Sequence, residues 1–366
     1  KGTGSWTGDY NTIIGDEACV DCSGSFNNCM AIGRLALKKV QSSSTTMNSL
    51  IAIGNAALQE HDGSGNHSTG GYTMAIGHSA ARNMRHIRHC TIVGSNAMYT
   101  WNPTSAQQSI HEGGCTALGA QAMYNHTSGG SNIAIGLSSL ESNTTASNNT
   151  AVGHETLNAN TTGNANVAIG SASLDANTTG SNNVGVGRNT LGQNTTGIRN
   201  TAVGHGALDA NTTAQQNVAM GYHSLVVNTT GDANTGIGYQ SLDANTTGVQ
   251  NVALGENALG ANTTANYNTA IGSSALLVNE TGDENTAVGA FALDANTTAG
   301  DNTAVGYLAL SSNTTGSSNT GVGHQVMFAN TTGRFNTAIG RLTLDANTTA
   351  DNNTAVGYAA LTANTT

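Results

Sequence analysis

Hydrophobic and polar positions alternate along this chain in a pattern with a 17-residue period. Each repeat opens with Asn, followed by Thr, Val or Ile, then Ala or Gly, then a large aliphatic residue, then Gly. The pattern begins at Asn132, continues at Asn149 and Asn166, and recurs at constant spacing to Asn353, which makes fourteen units. The ninth position is Leu in every unit except the one that has Met327. We number positions from the leading Asn and interpret the fourth and ninth positions as the core.

Alternation over the first five positions predicts a short β-strand, because successive side chains of a strand point to opposite faces. A second short strand is expected around positions 8 to 11, and the Asn, Thr and Gly residues between the strands are typical of turns. The small residues at positions 3 and 5 leave room for a neighbouring backbone to approach. A unit of this size cannot bury its own apolar side, so neighbouring units must stack. The chain is therefore predicted to be all-β and to form a parallel β-solenoid, or β-roll.

The same motif continues towards the N-terminus with other leading residues. The spacing of these units is unequal and mostly longer than the 17-residue period, so loops are inserted between otherwise similar coils. Six irregular and fourteen regular units give about 20 coils, which corresponds to a rod of roughly 95 Å at the strand spacing of a sheet. We predict two regions, irregular coils with inserted loops and cysteines over 1–131 and a regular shaft over 132–366. The irregular units begin at Asn11, Cys29, Leu50, Thr73, Cys90 and Cys115.

The segments NTAIG, NVAIG and NTAVG resemble the repeats of YadA-type trimeric adhesin heads and, more closely, the NTAIG-type repeats of bacterial and phage tail-fibre proteins. The resemblance covers about residues 11–366, and a motif repeated in register is more specific than a single copy. It implies a left-handed parallel β-roll in which three chains pack side by side through their small-residue faces. It also implies a surface stalk or an adhesive head. The 17-residue unit is longer than that of the YadA-type repeat, and its Asn-Thr-Thr segment is an addition.

The composition narrows the class of function. Charged residues make up only 9% of the chain and aromatic residues 4%, but the regular aliphatic columns argue against disorder. Residues 132–366 hold 14 acidic and 4 basic residues, so nucleic-acid binding is not expected. No apolar run is long enough to span a membrane. Nucleophile, zinc-protease and phosphate-loop motifs are absent, so we expect neither an enzyme nor a bound cofactor.

The Asn-Thr-Thr segment makes one Asn in every regular unit a formal acceptor of N-linked sugar. Two further acceptors lie in the irregular region. The alternative is a structural ladder, because stacked Asn amides can form hydrogen bonds from one coil to the next. For the leading Asn column we expect such a structural role. The predicted acceptors are Asn66, Asn125, Asn143, Asn160, Asn177, Asn194, Asn211, Asn228, Asn245, Asn262, Asn279, Asn296, Asn313, Asn330, Asn347 and Asn364.

All five cysteines and most of the histidines lie in the irregular region. Cys90 and Cys115 occupy the leading position of consecutive coils, so we predict that they form a disulfide. Cys19 and Cys22 form a lone CxxC pair, which is weak support for zinc. We expect the histidines to lie in surface loops and predict no metal site. The histidines of this region are His61, His67, His78, His86, His89, His111 and His126.

These patterns favour a structural function. We predict an extracellular fibre or filament, on a cell surface or a virion appendage, whose stiff shaft is built by stacked coils and whose partners are further copies of the chain. Adhesion to surface glycans or to a host receptor is a further expectation. The alternative is a trimeric tail-fibre or adhesin shaft that presents a receptor-binding tip. A third hypothesis, carbohydrate binding, is based on exposed tyrosines at the sixth position, namely Tyr222, Tyr239, Tyr307 and Tyr358.

Overall fold

The computed structural model describes residues 6–62, 72–84, 89–101 and 113–365. It divides into two units, Lys1–Asn183 and Val184–Thr366. Across the described residues the chain is all-β, without a helix, and it forms a parallel β-solenoid with a 17-residue repeat in its regular part. None of the described residues belongs to a helix of the length and hydrophobicity that crossing a bilayer requires.

The first unit is built on one long sheet of parallel strands. Each strand is three residues long and pairs in register with the strand of the next coil, so that Ala134 lies beside Ala151 and Ala151 beside Ala168. Residues at one position of successive coils therefore form a column. The strands of this sheet are β2 (Thr12–Ile14), β4 (Met30–Ile32), β6 (Ile51–Ile53), β8 (Met74–Ile76), β10 (Thr91–Val93), β12 (Thr116–Leu118), β13 (Ile133–Ile135), β14 (Thr150–Val152) and β15 (Val167–Ile169).

The irregular coils of the first unit carry additional strands. A four-stranded parallel sheet forms in the order β1, β3, β5, β7, and β9 pairs with β11. These strands are β1 (Trp6–Thr7), β3 (Ser23–Asn27), β5 (Lys39–Asn48), β7 (Glu60–Asp62), β9 (Asn83–Met84) and β11 (Thr100–Trp101).

The second unit contains regular coils only. Its single parallel sheet follows chain order, with one three-residue strand in each coil. The strands are β16 (Val184–Val186), β17 (Thr201–Val203), β18 (Val218–Met220), β19 (Thr235–Ile237), β20 (Val252–Leu254), β21 (Thr269–Ile271), β22 (Thr286–Val288), β23 (Thr303–Val305), β24 (Thr320–Val322), β25 (Thr337–Ile339) and β26 (Thr354–Val356).

The second strand that we predicted around positions 8 to 11 is wrong for the regular coils, which have turns there. Positions 7 and 9 have left-handed backbone in the regular coils, although Gly206 is the only glycine among these residues. In one coil Gln240 has a φ of 51° and Leu242 a φ of 52°. Extended backbone needs a strongly negative φ, so no strand can run through these positions.

The core lies on the opposite side of the strand from the one we predicted. Position 3 is fully buried, as at Ala168 and Ala338, whereas the neighbouring position-4 residues Ile169 and Ile339 are 41% and 44% exposed. The interior has room only for a small residue beside the leucine of position 9. In one coil position 3 is Gly236, where an added Cβ would lie 2.7 Å from the Oγ of Ser224.

The close backbone approach predicted at position 5 is confirmed. Gly238 has a φ of +137°, and a Cβ at this residue would lie 2.4 Å from the carbonyl oxygen of Gly255 in the next coil. The same relationship recurs from coil to coil in both units. Only glycine fits this backbone conformation and this spacing.

Candidate functional site

The interior of each unit contains a column of stacked asparagine amides at position 12. The Nδ2 of Asn262 donates to the Oδ1 of Asn245 at 2.7 Å, and the Nδ2 of Asn245 donates to the Oδ1 of Asn228 at 2.8 Å. The same nitrogen of Asn245 also donates to the carbonyl oxygen of Gly248 at 3.1 Å. All three amides are fully buried. Each amide therefore provides a hydrogen-bond partner for the next one. A buried polar group needs such a partner because it has no contact with water.

Of the two alternatives left open for the Asn-Thr-Thr segment, N-linked sugar and a structural ladder, this column favours the ladder. The atom to which a sugar is attached is the Nδ2, and in the folded chain that atom is buried and hydrogen-bonded. A glycan at one of these positions would have to break the column. The geometry therefore favours a structural role for these asparagines. The thirteen fully buried residues are Asn143, Asn160, Asn177, Asn194, Asn211, Asn228, Asn245, Asn262, Asn279, Asn296, Asn313, Asn330 and Asn347.

The other predicted acceptors differ from these thirteen. Asn364 is half-buried, and its Nδ2 donates to the Oδ1 of Asn347 at 3.4 Å. The side chain of Asn125 is exposed, so it stays a predicted acceptor. Asn66 lies outside the described residues.

Two further acceptor sequences were not predicted, although a plain search for Asn-x-Thr finds them. Asn148 and Asn352 each precede an Asn-Thr pair, and both side chains are exposed. They differ from the buried column in position, because they lie at the end of a coil and not in its Asn-Thr-Thr segment. Their outward orientation is a result of the fold that the acceptor motif alone does not show.

The leading asparagines form a second buried column, in agreement with the structural role we expected. The Oδ1 of Asn234 accepts the backbone N–H of Asn251 at 2.9 Å, and the Nδ2 of Asn251 donates to the carbonyl oxygen of Ala265 at 2.7 Å. Each side chain thus connects one coil to the next and also closes its own coil. A buried backbone group that would otherwise lack a partner is satisfied in both places.

The cysteines do not pair as we predicted. The structure has a disulfide between Cys19 and Cys22, whereas Cys90 and Cys115 are unbridged buried thiols. Cys115 instead occupies an asparagine position. Its Sγ contacts the carbonyl oxygen of Gly129 at 3.9 Å, 14 residues further on, just as Asn132 donates to Ala146. A hydrogen bond with Cys90 is the largest cause that lowers the pKa of the Cys115 thiol, and the neighbouring His126 lowers it further.

His126 was predicted to lie in a surface loop, but it is fully buried. It occupies position 12 of its coil and begins the first buried amide column. Its Nδ1 accepts from the Nδ2 of Asn143 at 2.8 Å, and its Nε2 lies 2.9 Å from the carbonyl oxygen of Gly129. The signal was present in the sequence, because His126 follows Cys115 by the same 11 residues that separate Asn143 from Asn132.

The structure describes the side chains of two further histidines of the irregular region. His78 and His89 are exposed, as predicted, and His89 stacks on Tyr72 with ring centroids 5.5 Å apart. Among the residues that the structure describes, no three His, Cys, Asp or Glu side chains come together in a way that could hold a metal ion. The side chains of His61, His67, His86 and His111 lie outside the described part.

Two of the four tyrosines at position 6, Tyr222 and Tyr239, stack on each other along the column. Tyr222 and Tyr239 have ring centroids 5.5 Å apart and nearly parallel planes, and His205 stacks on Tyr222 at the same distance. His223, at position 7, lies 3.9 Å from the Tyr222 ring. Ring faces within the stack are covered by other rings, and a sugar would meet mainly ring edges. This geometry does not favour a carbohydrate platform at Tyr222, whose ring lies between those of His205 and Tyr239, because sugar stacking needs a free ring face.

Two half-buried carboxyl groups lie near this aromatic stack. Burial raises the pKa of Asp209 and of Asp243, while the charges of nearby histidines lower it to a smaller extent. Neither carboxyl faces a second carboxyl or a nucleophile in the described coils in the manner of an acid–base pair.

The outer face of the sheet is the remaining large surface. Positions 2 and 4 of each strand point outward and carry Thr, Val, Ile, Leu or Met, without one charged residue from Ile133 to Val356. In the second unit Met220 and Leu254 are 41% and 43% exposed. Exposed apolar residues in continuous columns mark surfaces that bind something.

Comparison with protein-family models gives no match for this chain, and comparison with curated proteins gives none either. The resemblance to adhesin and tail-fibre repeats thus stays a prediction made from the motif. The geometry of the buried columns and of the outer face is the basis for a functional proposal.

Proposed function

We propose that the protein is a non-catalytic structural shaft of an extracellular fibre, located on a cell surface or a virion appendage. The observation that carries the proposal is the repetition of the same contacts in every regular coil. Backbone pairing and two amide columns join each coil to its neighbours within a unit. Stability of this kind is the sum of similar nearest-neighbour terms, so a solenoid can be extended by adding coils.

Electron microscopy of the purified chain tests this proposal. The expected image is a stiff particle of uniform width whose coils advance about 4.8 Å each. Limited proteolysis adds a second measure, because paired coils protect their backbone from cleavage. We expect cleavage in the irregular region before any cleavage in 132–366. Flexible or globular particles, or early cleavage throughout 132–366, would contradict a stiff shaft.

A second candidate function is a shaft made of several copies packed side by side, as the resemblance to trimeric adhesins implies. The exposed Met220 and Leu254 on the outer face favour it. The small residues of position 3 point inward, so lateral packing would use positions 2 and 4 instead. Adhesion to surface glycans or to a receptor is a separate proposal. It requires a binding partner of the shaft or a receptor-binding tip.

Sedimentation of matched variants tests lateral packing. Met220 and Val227 belong to one coil and are 41% and 40% exposed, but Val227 lies at position 11, away from the strand. If copies pack through the outer face, Met220→Glu lowers the sedimenting mass to that of one chain, whereas Val227→Glu leaves it unchanged. A wild-type chain that sediments as a monomer at high concentration excludes this second candidate.

A further inference from the structure

The outer face of six consecutive coils in the second unit is more regular than the rest. In strands β21 to β26 position 2 is always Thr and position 4 is always Val or Ile. The strands pair in strict register, so Thr269, Thr286 and Thr303 lie side by side, as do Ile271, Val288 and Val305. The same two columns continue through Thr320, Thr337 and Thr354 and through Val322, Ile339 and Val356. We call these twelve residues the Thr/Val grid.

The grid is rigid as well as regular. All twelve side chains are β-branched, and such side chains have few χ1 rotamers available to them. Successive strands of a sheet are about 4.8 Å apart, and positions 2 and 4 of one strand are about 6.6 Å apart. The face therefore presents methyl and hydroxyl groups on a rectangular lattice whose geometry is set by the sheet.

The hydroxyl groups of the grid are not used by the fold. Within the described residues, the grid threonines make no side-chain hydrogen bond, and they lie on the outer side of the strand. The threonines at position 13 behave differently, since the Oγ1 of Thr297 donates to the carbonyl oxygen of Thr314 at 3.2 Å and that of Thr314 to Thr331 at 3.1 Å. The grid hydroxyls are thus available to water, and the methyl groups between them restrict the orientation of that water.

The composition of the grid does not fit a protein partner well. Binding hot spots are enriched in Trp, Tyr and Arg, whereas Thr and Val are under-represented in them. The grid contains none of the enriched residues, and the larger Met220 and Leu254 lie outside it, on β18 and β20. A partner that offers the same rectangular lattice is a better match. The water oxygens on a prism face of hexagonal ice form a rectangular lattice of similar dimensions.

We propose that the Thr/Val grid of strands β21 to β26 binds ice through an ordered layer of water held between its methyl and hydroxyl groups. The activity is independent of whether the chain also serves as a shaft. An uncharged, rigid and periodic face suits binding to a crystal surface, because each added coil contributes one more identical contact in register.

The test uses the full-length chain and two variants in one coil. Thr303 belongs to the grid, and Thr315, at position 14, is an exposed threonine of the Asn-Thr-Thr segment of the same coil. We expect the wild-type chain to inhibit ice recrystallisation and to shape ice crystals. Thr303→Lys should raise the concentration needed by at least about tenfold, and Thr315→Lys should leave it unchanged. Thr303→Leu provides a second, uncharged disruption of the lattice, and thermal melting checks that each variant is folded.

Three results would overturn the proposal. The first is a wild-type chain that leaves ice growth unaffected. The second is a folded Thr303→Lys or Thr303→Leu variant as active as the wild type. The third is a wild-type oligomer that Thr303→Lys separates into single chains, because the grid would then be an interface between copies. Particle length in electron micrographs should be the same for all variants, so failure of ice binding is distinguishable from failure of the shaft.

Discussion

The Nδ2 of Asn262 donates to the Oδ1 of Asn245 over 2.7 Å, across two neighbouring coils and in full isolation from solvent. The bond has a direction, because each amide donates towards the N-terminus and accepts from the C-terminal side. Every interior member of the column is therefore flanked by two copies of itself. A substitution at one position removes bonds from two coils at once.

Replacing Asn245 by Ala tests this column. The substitution removes the donor to Asn228 and to Gly248 and leaves the Nδ2 of Asn262 without its amide acceptor. We expect a loss of about 3 kcal/mol in the free energy of unfolding, since buried polar groups without partners cost about 1–3 kcal/mol each. Urea unfolding followed by circular dichroism measures it.

The matched control for Asn245→Ala is Thr247→Ala, which removes the same sugar-acceptor motif but spares the amide. Thr247 is exposed at position 14. We expect its substitution to change stability by less than about 0.5 kcal/mol, as for other surface positions. Equal losses for the two variants would mean that the motif, and not the amide column, stabilises the coil.

The sequence was sufficient to predict the solenoid but not which side of the strand faces inward. A 17-residue repeat with alternation over five positions predicts stacked strands. Alternation alone separates positions 2 and 4 from positions 1, 3 and 5 without saying which set is inside. The usual preference for large aliphatic residues in cores gave the wrong side. The deciding property is volume: position 3 is restricted to Ala or Gly, whereas position 4 accepts residues as different as Val152 and Met220.

The buried amides show a similar limit of sequence reasoning. Asn143 and Asn148 both belong to formal sugar-acceptor motifs, but one is buried and the other exposed. Burial depends on where the turns at positions 7, 9 and 17 direct the chain, and these turns use left-handed backbone at residues such as Leu140. Non-glycine residues rarely adopt this conformation, so their local preferences do not predict it. The burial of His126, which replaces an asparagine of the column, was not predicted for the same reason.

The glycine at position 5 should be irreplaceable. Gly255 has a φ of +141°, and an added Cβ would lie 2.5 Å from the carbonyl oxygen of Gly272. We expect Gly255→Ala to cost more than about 3 kcal/mol, because both the backbone conformation and the contact with the next coil become unfavourable. Thermal and urea unfolding of the purified variant provide the measurement.

Gly260 in the same coil is the control for Gly255. It lies at position 10, where the neighbouring coils carry Asp243 and Leu277, and the atom nearest to an added Cβ is the carbonyl oxygen of Asn257 at 3.3 Å. Gly260→Ala should change stability by less than about 1 kcal/mol. If the two alanine variants are equally stable, the close approach of coils at position 5 is not what requires glycine.

Position 17 offers a stabilising substitution. Ala165 is exposed and has a φ of 55°, a left-handed conformation that costs a residue with a Cβ about 1–2 kcal/mol. Ala165→Gly removes that cost and adds a smaller entropic one, so we expect a net gain of about 0.5–1 kcal/mol. Ala176, at position 11, is not in the left-handed region, and Ala176→Gly should destabilise by a similar amount. Opposite signs in parallel urea titrations are the expected result, and a loss in both variants would contradict it.

The carboxyl group of Asp243 should make stability depend on pH. Burial raises its pKa in the folded chain, so the folded state binds the proton more tightly than the unfolded chain, whose aspartates titrate near about 3.9. Stability is therefore lost as pH rises from below that value through the raised pKa, and the loss persists at neutral pH. Asp243→Asn should stabilise the chain at pH about 7 and have little effect at pH about 3.

Asp301→Asn is the control for the change in net charge. Its side chain is exposed at position 17, so removing its charge alters the overall repulsion in this acidic chain by the same amount. Thermal melting across the pH range should show a pH-dependent gain for Asp243→Asn that exceeds the gain for Asp301→Asn. Identical profiles would assign the effect to net charge and not to burial.

Production in two compartments tests the orientation of the acceptor asparagines. When the chain passes through a secretory pathway that attaches N-linked sugars, we expect glycans on folded protein only at exposed acceptors, namely Asn125, Asn148 and Asn352 among the described residues. A sugar on Asn245 would occupy the nitrogen that bonds Asn228 and Gly248, so a chain modified there should not fold. Such chains should appear in the aggregated fraction, whereas cytosolic production avoids the loss. Peptide mapping of the soluble and aggregated fractions locates each glycan. A glycan on Asn245 in soluble protein with the wild-type melting temperature would show that the amide column is not required by the fold.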